Sequence, residues 1–270
     1  MNICFIGGGN MAAALIGGLL QQGYSPAQIA VVETNAGQRD RIKREFNVEA
    51  AADPAKGLAN SGVIVLAVKP QQLAAVAREL APLLSGQLVI SIAAGIRAGD
   101  IARWLGGYGR VVRAMPNTPA LVRAAMTGLY ALPEVDTEGK HAAETILCAV
   151  GSVLWCEKEE LLDAVTAVSG SGPAYAFYFI EAMQEAGLRL GLSAPQAQRL
   201  SAETFLGAAK LALGSTENAA TLRARVTSPG GTTERAITSL ESDGVKEAII
   251  RAIDRAYRRS CELGEELGKG

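Results

Sequence analysis

The chain opens with Ile3-Cys4-Phe5-Ile6-Gly7-Gly8-Gly9-Asn10-Met11-Ala12, a short apolar run that passes directly into three glycines. Continuous apolar runs of this length are typical of strands that are buried on both faces of a parallel sheet. Gly7, Gly9 and Ala12 match the spacing G-x-G-x-x-G/A, in which the first glycine permits a tight turn and the second lets a phosphate approach the backbone. The free N–H groups of the following helix then hold the anion. This stretch therefore predicts a strand, a turn and a helix that bind a dinucleotide.

Outward from this stretch, strand and helix patterns alternate as far as residue 159. Apolar runs predict strands at Ala30–Val32, Val48–Ala50, Val63–Ala67, Leu88–Ile92 and Val111–Met115, with edge strands near Thr127–Ala131 and Ser152–Trp155. Helical patterns between them predict helices at Met11–Leu20, Gln38–Phe46, Pro70–Leu84 and Ile101–Leu105. Such alternation predicts a parallel sheet with helices on both faces, which is a Rossmann-type domain over residues 1–159.

After Glu159 the strand patterns stop and long helical patterns take their place. The predicted helices are Leu161–Val168, Tyr175–Gly191, Pro195–Leu213 and Val245–Leu267. A domain as small as residues 160–270 cannot bury the apolar stripes of all these helices within one bundle. We therefore predict an all-α dimerisation domain in a homodimer, with a monomeric bundle as the alternative. The expected fold class is α/β, with the parallel-sheet domain first and the helical domain second.

Charge and hydropathy exclude several classes of protein. Among the 270 residues, 26 are Lys or Arg and 27 are Asp or Glu, which gives a net charge of −1. This balance argues against nucleic acid or an anionic membrane as the main partner. No apolar stretch approaches the roughly 18 residues of a membrane span, and no basic segment precedes the glycines as a secretory signal would require. We expect a cytoplasmic protein.

The cysteines and the single histidine do not indicate a metal site. Cys4, Cys148, Cys156 and Cys261 contain no C-x-x-C pair and mostly stand in apolar patterns, which favours buried free thiols. His141 stands in an Ala-rich helical pattern without the partners that a metal site or a histidine triad needs. We expect His141 at the surface and no bound metal.

The end of the second predicted strand bears on the choice of cofactor. Glu33 is placed to accept hydrogen bonds from the ribose hydroxyls of NAD. Thr34, Asn35 and Arg39 follow it and are suited to a 2′-phosphate instead. The local sequence leaves NADH and NADPH both open.

Three further loops leave strands at the carboxyl edge, where dinucleotides lie. They are Ala67–Pro70, Ser91–Gly95 and Met115–Pro119. Lys69 is either a cofactor or substrate contact or a surface charge, and Asn117 is either a cofactor contact or a turn residue. The cofactor-binding residues that we predict are Ile6, Gly7, Gly9, Asn10, Met11, Glu33, Thr34, Asn35, Ala67, Val68, Lys69, Pro70, Ala93 and Asn117.

Two glycine-rich segments interrupt the helical half, where glycine is costly unless it is used. The segment Ser169–Pro173 is expected to break a helix. In the second segment, Ser228 is expected to cap a helix that begins at Pro229. Gly230 and Gly231 then leave backbone N–H groups unscreened, which predicts a site for a carboxylate at a helix start. A plain capped helix is the alternative.

Taken together, these motifs resemble the Δ1-pyrroline-5-carboxylate reductase family. The resembling segments follow the family's order and are Gly7–Met11, Ala67–Pro70, Arg113–Pro119, Ser169–Tyr175 and Val226–Thr233. The resemblance implies a Rossmann domain and a helical domain that interlocks in a dimer, sometimes assembled into larger rings. It also implies reduction of the cyclic imine pyrroline-5-carboxylate to L-proline by NAD(P)H, often with NADPH preferred.

The resemblance also implies roles for particular residues. The family's substrate carboxylate meets the loop that matches Ser228, Gly230, Gly231 and Thr232, and its hydroxyl near the imine nitrogen matches Thr233. We place Ser171 among the substrate-binding residues as well. The chain departs mildly from the family at Arg223 and Arg225, where related sequences vary between basic and polar residues.

Two alternatives belong to other classes. A 3-hydroxyacid dehydrogenase shares the two-domain plan but carries a catalytic Lys a few residues after a glycine-rich turn. Here Gly172 is followed by Pro173-Ala174-Tyr175-Ala176-Phe177-Tyr178-Phe179, which contains no Lys. A non-enzymatic sensor of the cofactor's redox state would not need a carboxylate-binding turn at Gly230 and Gly231.

Overall fold

The computed structural model describes residues 1–269, and their contacts divide the chain into two compact units. The first contains Met1–Ser171 together with the residues from Ala256 onward, and the second is Gly172–Arg255. The predicted boundary after residue 159 therefore lies inside the first unit. Asp163, which follows that boundary, binds Arg97 and Ser260 with its carboxylate and so belongs with the sheet.

One eight-stranded sheet forms the first unit, in the order β3-β2-β1-β4-β5-β6-β7-β8. The strands are β1 Ile3–Ile6, β2 Ile29–Val32, β3 Glu49–Ala51, β4 Val63–Leu66, β5 Leu88–Ser91, β6 Val111–Met115, β7 Ala125–Ala131 and β8 Gly151–Trp155. Neighbouring strands are parallel except β6 and β7, which run antiparallel. This arrangement confirms the predicted Rossmann-type sheet and the two strands, β7 and β8, that were predicted to extend its edge.

Helices connect these strands. They are α1 Asn10–Gln21, α2 Ala36–Phe46, α3 Pro54–Leu58, α4 Pro70–Leu80, α5 Ala98–Trp104, α6 Thr137–Cys148 and α7 Leu161–Val165. α4 ends earlier than predicted, because Pro82 lacks an N–H group and the chain tightens into a 3-10 turn at Ala81–Leu83. α3 was not predicted, because a single turn capped by Asp53 is too short to show helical periodicity.

The core lies on both faces of the sheet, and β1 serves both. Ile3 and Phe5 belong to one buried cluster, whereas Cys4 and Ile6 belong to the other. Alternate residues of a strand point to opposite faces, so a strand covered on both sides is continuously apolar. Burial raises the pKa of the Cys4 thiol to about 12.

The second unit is helical. It contains α8 Gly172–Arg189, α9 Ala194–Gly214, α10 Ala219–Arg225, α11 Thr232–Ser242 and the first part of α12 Val245–Leu267. α8 and α9 pack together through Phe179 and Phe205, whose ring centroids are 6.4 Å apart. Several large apolar side chains of this unit are exposed in the single chain, namely Phe177, Tyr178, Leu190, Leu200, Leu211 and Leu213. Among the described residues, no helix is both long enough and apolar enough to cross a membrane.

Candidate active site

The first glycine of the N-terminal turn is required for two reasons. Gly7 has a φ of +101°, a conformation that residues with a side chain rarely adopt. A Cβ at this position would also lie 2.8 Å from the carbonyl oxygen of Ala67, in the loop after the neighbouring strand β4. The Gly7 N–H donates to the Val32 carbonyl at 2.8 Å, which fixes the start of the turn against the end of β2.

The third glycine of the turn is open on the side that a phosphate would approach. Gly9 is exposed, and a Cβ added there would meet no atom within 4 Å. It is the N-cap of α1, and no side chain caps that helix. Ala12 is fully buried where α1 packs on the sheet. Backbone N–H groups at an uncapped helix start suit an anion, so these residues fit the pyrophosphate of a dinucleotide.

At the end of β2, Glu33 is held by backbone groups. Its carboxylate accepts hydrogen bonds from the N–H of Gly8 and the N–H of Asn35, each at 2.9 Å. Arg39 donates from Nη1 to the carbonyls of Glu33 and Thr34, each at 2.8 Å. A carboxylate has about four acceptor sites, so Glu33 retains capacity for a ribose hydroxyl. The loop from Glu33 to Asn35 is thus ordered by hydrogen bonds within the protein.

The loop after β4 lies against the glycine turn. The N–H of Ala67 donates to the Ile6 carbonyl at 2.8 Å, and Val68 lies 3.2 Å from the Cβ that a side chain at Gly7 would have. Lys69 is exposed and precedes Pro70, the first residue of α4 as predicted. The structure therefore brings these predicted cofactor residues to one edge of the sheet.

The end of α12 packs against the loop after β5. Gly95 has a φ of +75°, and a Cβ there would lie 3.3 Å from both Leu263 and Leu267. Ala93 is buried and its N–H donates to the Ser91 hydroxyl at 3.3 Å. Small residues are needed in this loop partly because the protein itself fills the adjacent space.

The amide of Asn117, in the loop after β6, is engaged by the protein. Its Oδ1 accepts the N–H of Met126 at 3.0 Å. Its Nδ2 lies 3.2 Å from the carbonyl oxygen of Ser169 and 3.1 Å from the Ser169 hydroxyl. Direct contact of Asn117 with the cofactor stays a prediction, because these bonds join three segments of the first unit.

The prediction that Ser169–Pro173 breaks a helix is confirmed, since a new helix, α8, begins within this segment at Gly172, but the break includes a π-helical turn that was not predicted. Thr166–Gly170 form a π-helical turn, in which the N–H of Ser171 donates to the Thr166 carbonyl at 2.8 Å, and α8 begins at Gly172. A Cβ at Gly170 would lie 2.6 Å from the terminal methyl of Met115. The glycines therefore permit a wide, close-packed turn, a form that is frequent at functional sites.

The prediction of a helix from Pro229 capped by Ser228 is wrong, because α11 begins only at Thr232. The N–H of Gly231 donates to the Ser228 carbonyl at 3.0 Å, and Gly230 has a φ of +73°. These features form a type II turn, for which proline followed by glycine is a strong signal. α11 begins only at Thr232, with Gly231 as its N-cap.

The helix start that remains available is therefore the first turn of α11. Thr232 is exposed and Thr233 is half-buried, and no side chain caps this helix. The neighbouring N–H of Gly230 already donates to the Glu234 carboxylate at 2.7 Å. The Glu234 carboxylate thus already accepts a hydrogen bond from one backbone N–H group beside the predicted carboxylate site.

A largely buried network of charged side chains was not predicted from the sequence. Arg97 bonds the Asp163 carboxylate at 2.6 Å, and Arg113 bonds Glu159 at 3.0 Å. The Ser260 hydroxyl donates to Asp163 at 2.8 Å, which ties α12 to the sheet unit. The partners lie far apart in sequence, but an arginine inside the apolar run Val111–Met115 does signal a buried partner.

Only two of the four thiols are buried as predicted, whereas the histidine lies at the surface as predicted. Cys4 and Cys156 are buried free thiols, but Cys148 is exposed on α6 and Cys261 is half-buried. His141 is at the surface as predicted, with 80% of its side chain exposed. Within residues 1–269, no cluster of three or more His, Cys, Asp or Glu side chains is placed to hold a metal ion.

Comparison with known proteins covers the whole chain. The family model for pyrroline-5-carboxylate reductase dimerisation matches residues 159–263, and one for F420-dependent NADP oxidoreductases matches residues 2–95. The pyrroline-5-carboxylate reductase of Pseudomonas aeruginosa is 50% identical over 268 residues, which are 99% of this chain and 98% of the relative. This chain belongs to the pyrroline-5-carboxylate reductase family. It is an oxidoreductase with a dinucleotide-binding sheet domain and a helical dimerisation domain.

Other members of the family have the same fold. The relative from Synechocystis sp. is 42% identical, with 97% of each chain covered. The structure of the pyrroline-5-carboxylate reductase of Coxiella burnetii matches with a TM-score of 0.93 and 46% identity, over 97% of this chain and 98% of that one. The Plasmodium falciparum enzyme, solved with NADP bound, matches with a TM-score of 0.87 and 28% identity, over 98% of each chain.

Proposed function

We propose that this chain reduces 1-pyrroline-5-carboxylate to L-proline with NAD(P)H as the reductant. The observation that carries the proposal is the end-to-end similarity to the reductase of Pseudomonas aeruginosa, at 50% identity. NADPH is the first choice of cofactor, since the related Plasmodium falciparum structure has NADP bound, and NADH is the alternative. The bound cofactor supplies the hydride, and the residues of the chain position the two reactants.

The cofactor residues that we propose lie at the carboxyl edge of the sheet. The open start of α1 at Gly9, with Asn10 and Met11, holds the pyrophosphate, because its N–H groups are uncapped and no Cβ blocks them. Glu33, Thr34 and Asn35 meet the adenosine ribose. The remaining members of the set are Ile6, Gly7, Ala67, Val68, Lys69, Pro70, Ala93 and Asn117.

The substrate carboxylate is proposed to bind at the first turn of α11. The helix start there is uncapped, and the partial positive charge of its N–H groups favours an anion. Ser228, Gly230, Gly231 and Thr232 belong to this turn, and Ser171 is the further substrate-binding residue that we propose. The domain roles that we propose are cofactor binding by residues 1–159, and substrate binding and dimerisation by residues 160–270.

The chemistry requires positioning more than acid catalysis. A protonated imine is already electrophilic at the carbon of its C=N bond, so a strong general acid is not essential, and orientation and charge complementarity can lower the barrier. We assign Thr233 as the residue whose hydroxyl holds the imine nitrogen and helps relay its proton.

The chain functions as a homodimer in this proposal. The dimerisation family model covers most of the helical half, and the large apolar side chains exposed in the single chain require a cover. We place the enzyme in the cytoplasm, because its cysteines are free thiols, which a reducing compartment maintains.

The test is the oxidation of NADPH and of NADH, followed at 340 nm with pyrroline-5-carboxylate as substrate. We expect turnover with at least one cofactor and formation of proline. Thr233→Ala should lower kcat/KM by roughly 10- to 1000-fold, as loss of one positioned hydrogen bond does. Thr238→Ala changes an exposed threonine of the same helix and should behave as wild type. An inactive wild-type enzyme would refute the function, and an unaltered Thr233→Ala enzyme would remove Thr233 from the mechanism.

A further inference from the structure

The π-helical turn Thr166–Gly170 is attached to the end of β6 by one side chain. Asn117 donates from Nδ2 to both oxygen atoms of Ser169, at 3.2 Å to the carbonyl and 3.1 Å to the hydroxyl. On its other side, Oδ1 accepts the N–H of Met126 in β7 at 3.0 Å. Ser169 itself donates to the Met126 carbonyl at 3.4 Å. Asn117 and Ser169 thus form an amide clamp between the sheet edge and the π-helical turn.

This clamp uses most of the hydrogen-bonding capacity of the Asn117 amide. An amide side chain offers two N–H donors and one oxygen acceptor, and partners within the protein engage both its nitrogen and its oxygen. A cofactor that accepted a hydrogen bond from Nδ2 would have to compete with Ser169, and one that donated to Oδ1 would have only its second lone pair, because Met126 uses the first. The arrangement is therefore better suited to holding the protein in shape than to holding a ligand.

The π-helical turn controls where Ser171 lies. Ser171 closes the turn through its N–H bond to Thr166 at 2.8 Å, and it follows the clamped Ser169 by two residues. Met115 packs directly against Gly170, so the turn has little room to shift toward β6. Releasing Ser169 would let the turn relax toward ordinary α-helical spacing and move Ser171.

We infer that Asn117 is a positioning residue that, through Ser169, fixes the π-helical turn and so sets the affinity of the enzyme for the imine. The inference rests on the proposed function, in which Ser171 contacts the substrate. It replaces the predicted cofactor contact of Asn117 with an indirect role on the substrate side.

Three variants test the clamp in the full-length enzyme. Asn117→Ala removes all its bonds, and Asn117→Asp keeps the acceptor for Met126 and the size but loses the donor to Ser169. Ser169→Ala loses only the hydroxyl. Asn60→Ala, the same substitution at an exposed position outside the carboxyl-edge loops, is the matched control. The readouts are the KM for pyrroline-5-carboxylate, kcat, the Kd for NADPH from nucleotide fluorescence, and the Tm.

For Asn117→Ala we expect the imine KM to rise by about 10- to 100-fold, because displacements near 1 Å in a site have effects of this size. Asn117→Asp should give an intermediate rise and Ser169→Ala a smaller one, while the Kd for NADPH stays at the wild-type value. If Asn117→Ala does not fold, Asn117→Asp carries the test alone.

Three results would overturn the inference. A raised Kd for NADPH with an unchanged imine KM would restore the direct cofactor contact. Wild-type kinetics with a lowered Tm would make the clamp purely structural, and an equal loss of both affinities would indicate general disruption. Failure of the proposed function itself looks different, because then the wild-type enzyme does not oxidise NAD(P)H at all.

Discussion

Two turns of this chain contain adjacent glycines but have different determinants. The turn at Gly7–Gly9 follows the buried strand β1. A Cβ on its first glycine would lie 2.8 Å from the carbonyl oxygen of Ala67, in the loop after β4. The turn at Gly230 and Gly231 is bordered by solvent, and a Cβ at Gly230 would meet no atom within 4 Å. The first conformation is imposed by neighbouring strands, whereas the second depends on local backbone preference and on the nearby Glu234 carboxylate.

This difference explains why only the first turn was predicted correctly. A glycine turn after a buried strand has few alternatives, because the parallel sheet fixes where the chain must go next. A proline followed by a glycine has two possible conformations, since a φ near −65° suits both the first turn of a helix and the second residue of a type II turn. In this chain Gly230 adopts the left-handed conformation, and the helix is delayed to Thr232.

The largest effect should come from breaking the enclosed turn. Gly7→Ala combines a positive φ, which costs roughly 1–2 kcal/mol, with overlap against the Ala67 carbonyl. We expect a lowered Tm and loss of measurable NADPH binding by fluorescence titration. Gly23→Ala is the matched control, since Gly23 also has a positive φ, +95°, but its Cβ would meet nothing within 4 Å. Equal losses in the two variants would contradict a special role for the contact with Ala67.

Gly9→Ala should separate binding from folding. The Gly9 backbone is compatible with alanine, with a φ of −68°, and the added Cβ has free space. The Tm should therefore stay close to wild type, while the Kd for NADPH rises by about 10- to 100-fold because the methyl group occupies the path of the pyrophosphate. A Gly9→Ala enzyme that binds NADPH normally would show that the phosphates do not approach this residue.

The sheet was more predictable than the residues that join it to the rest of the chain. β1 and β4 were predicted from apolar runs alone, because burial on both faces leaves a continuous signal. The Arg97–Asp163 bond links residues that are 66 apart in sequence, and no local pattern encodes such a pair. The predicted boundary at residue 159 differs from the contact division for the same reason.

The residues of the site were also predicted with uneven success. Gly7, Ala67 and Val68 come together because the ends of adjacent parallel strands must meet at one edge. Asn117 was singled out correctly as a residue of that edge, but its partner Ser169 lies 52 residues away and within an unpredicted π-helical turn. Motif spacing thus locates a residue on the sheet but does not tell whether its side chain faces a ligand or another segment.

The smallest effect should come from the exposed turn. Gly230→Ala introduces the strain of a positive φ without a steric clash, so we expect the KM for pyrroline-5-carboxylate to rise by roughly 3- to 10-fold with little change in the Kd for NADPH. Gly244→Ala, at a φ of +64° just beyond the end of α11, carries similar strain outside the loop. Both variants should lose similar stability in thermal denaturation, and only Gly230→Ala should alter the imine KM. If both raise that KM equally, the turn at Gly230 acts through the stability of α11, and the substrate carboxylate must bind elsewhere.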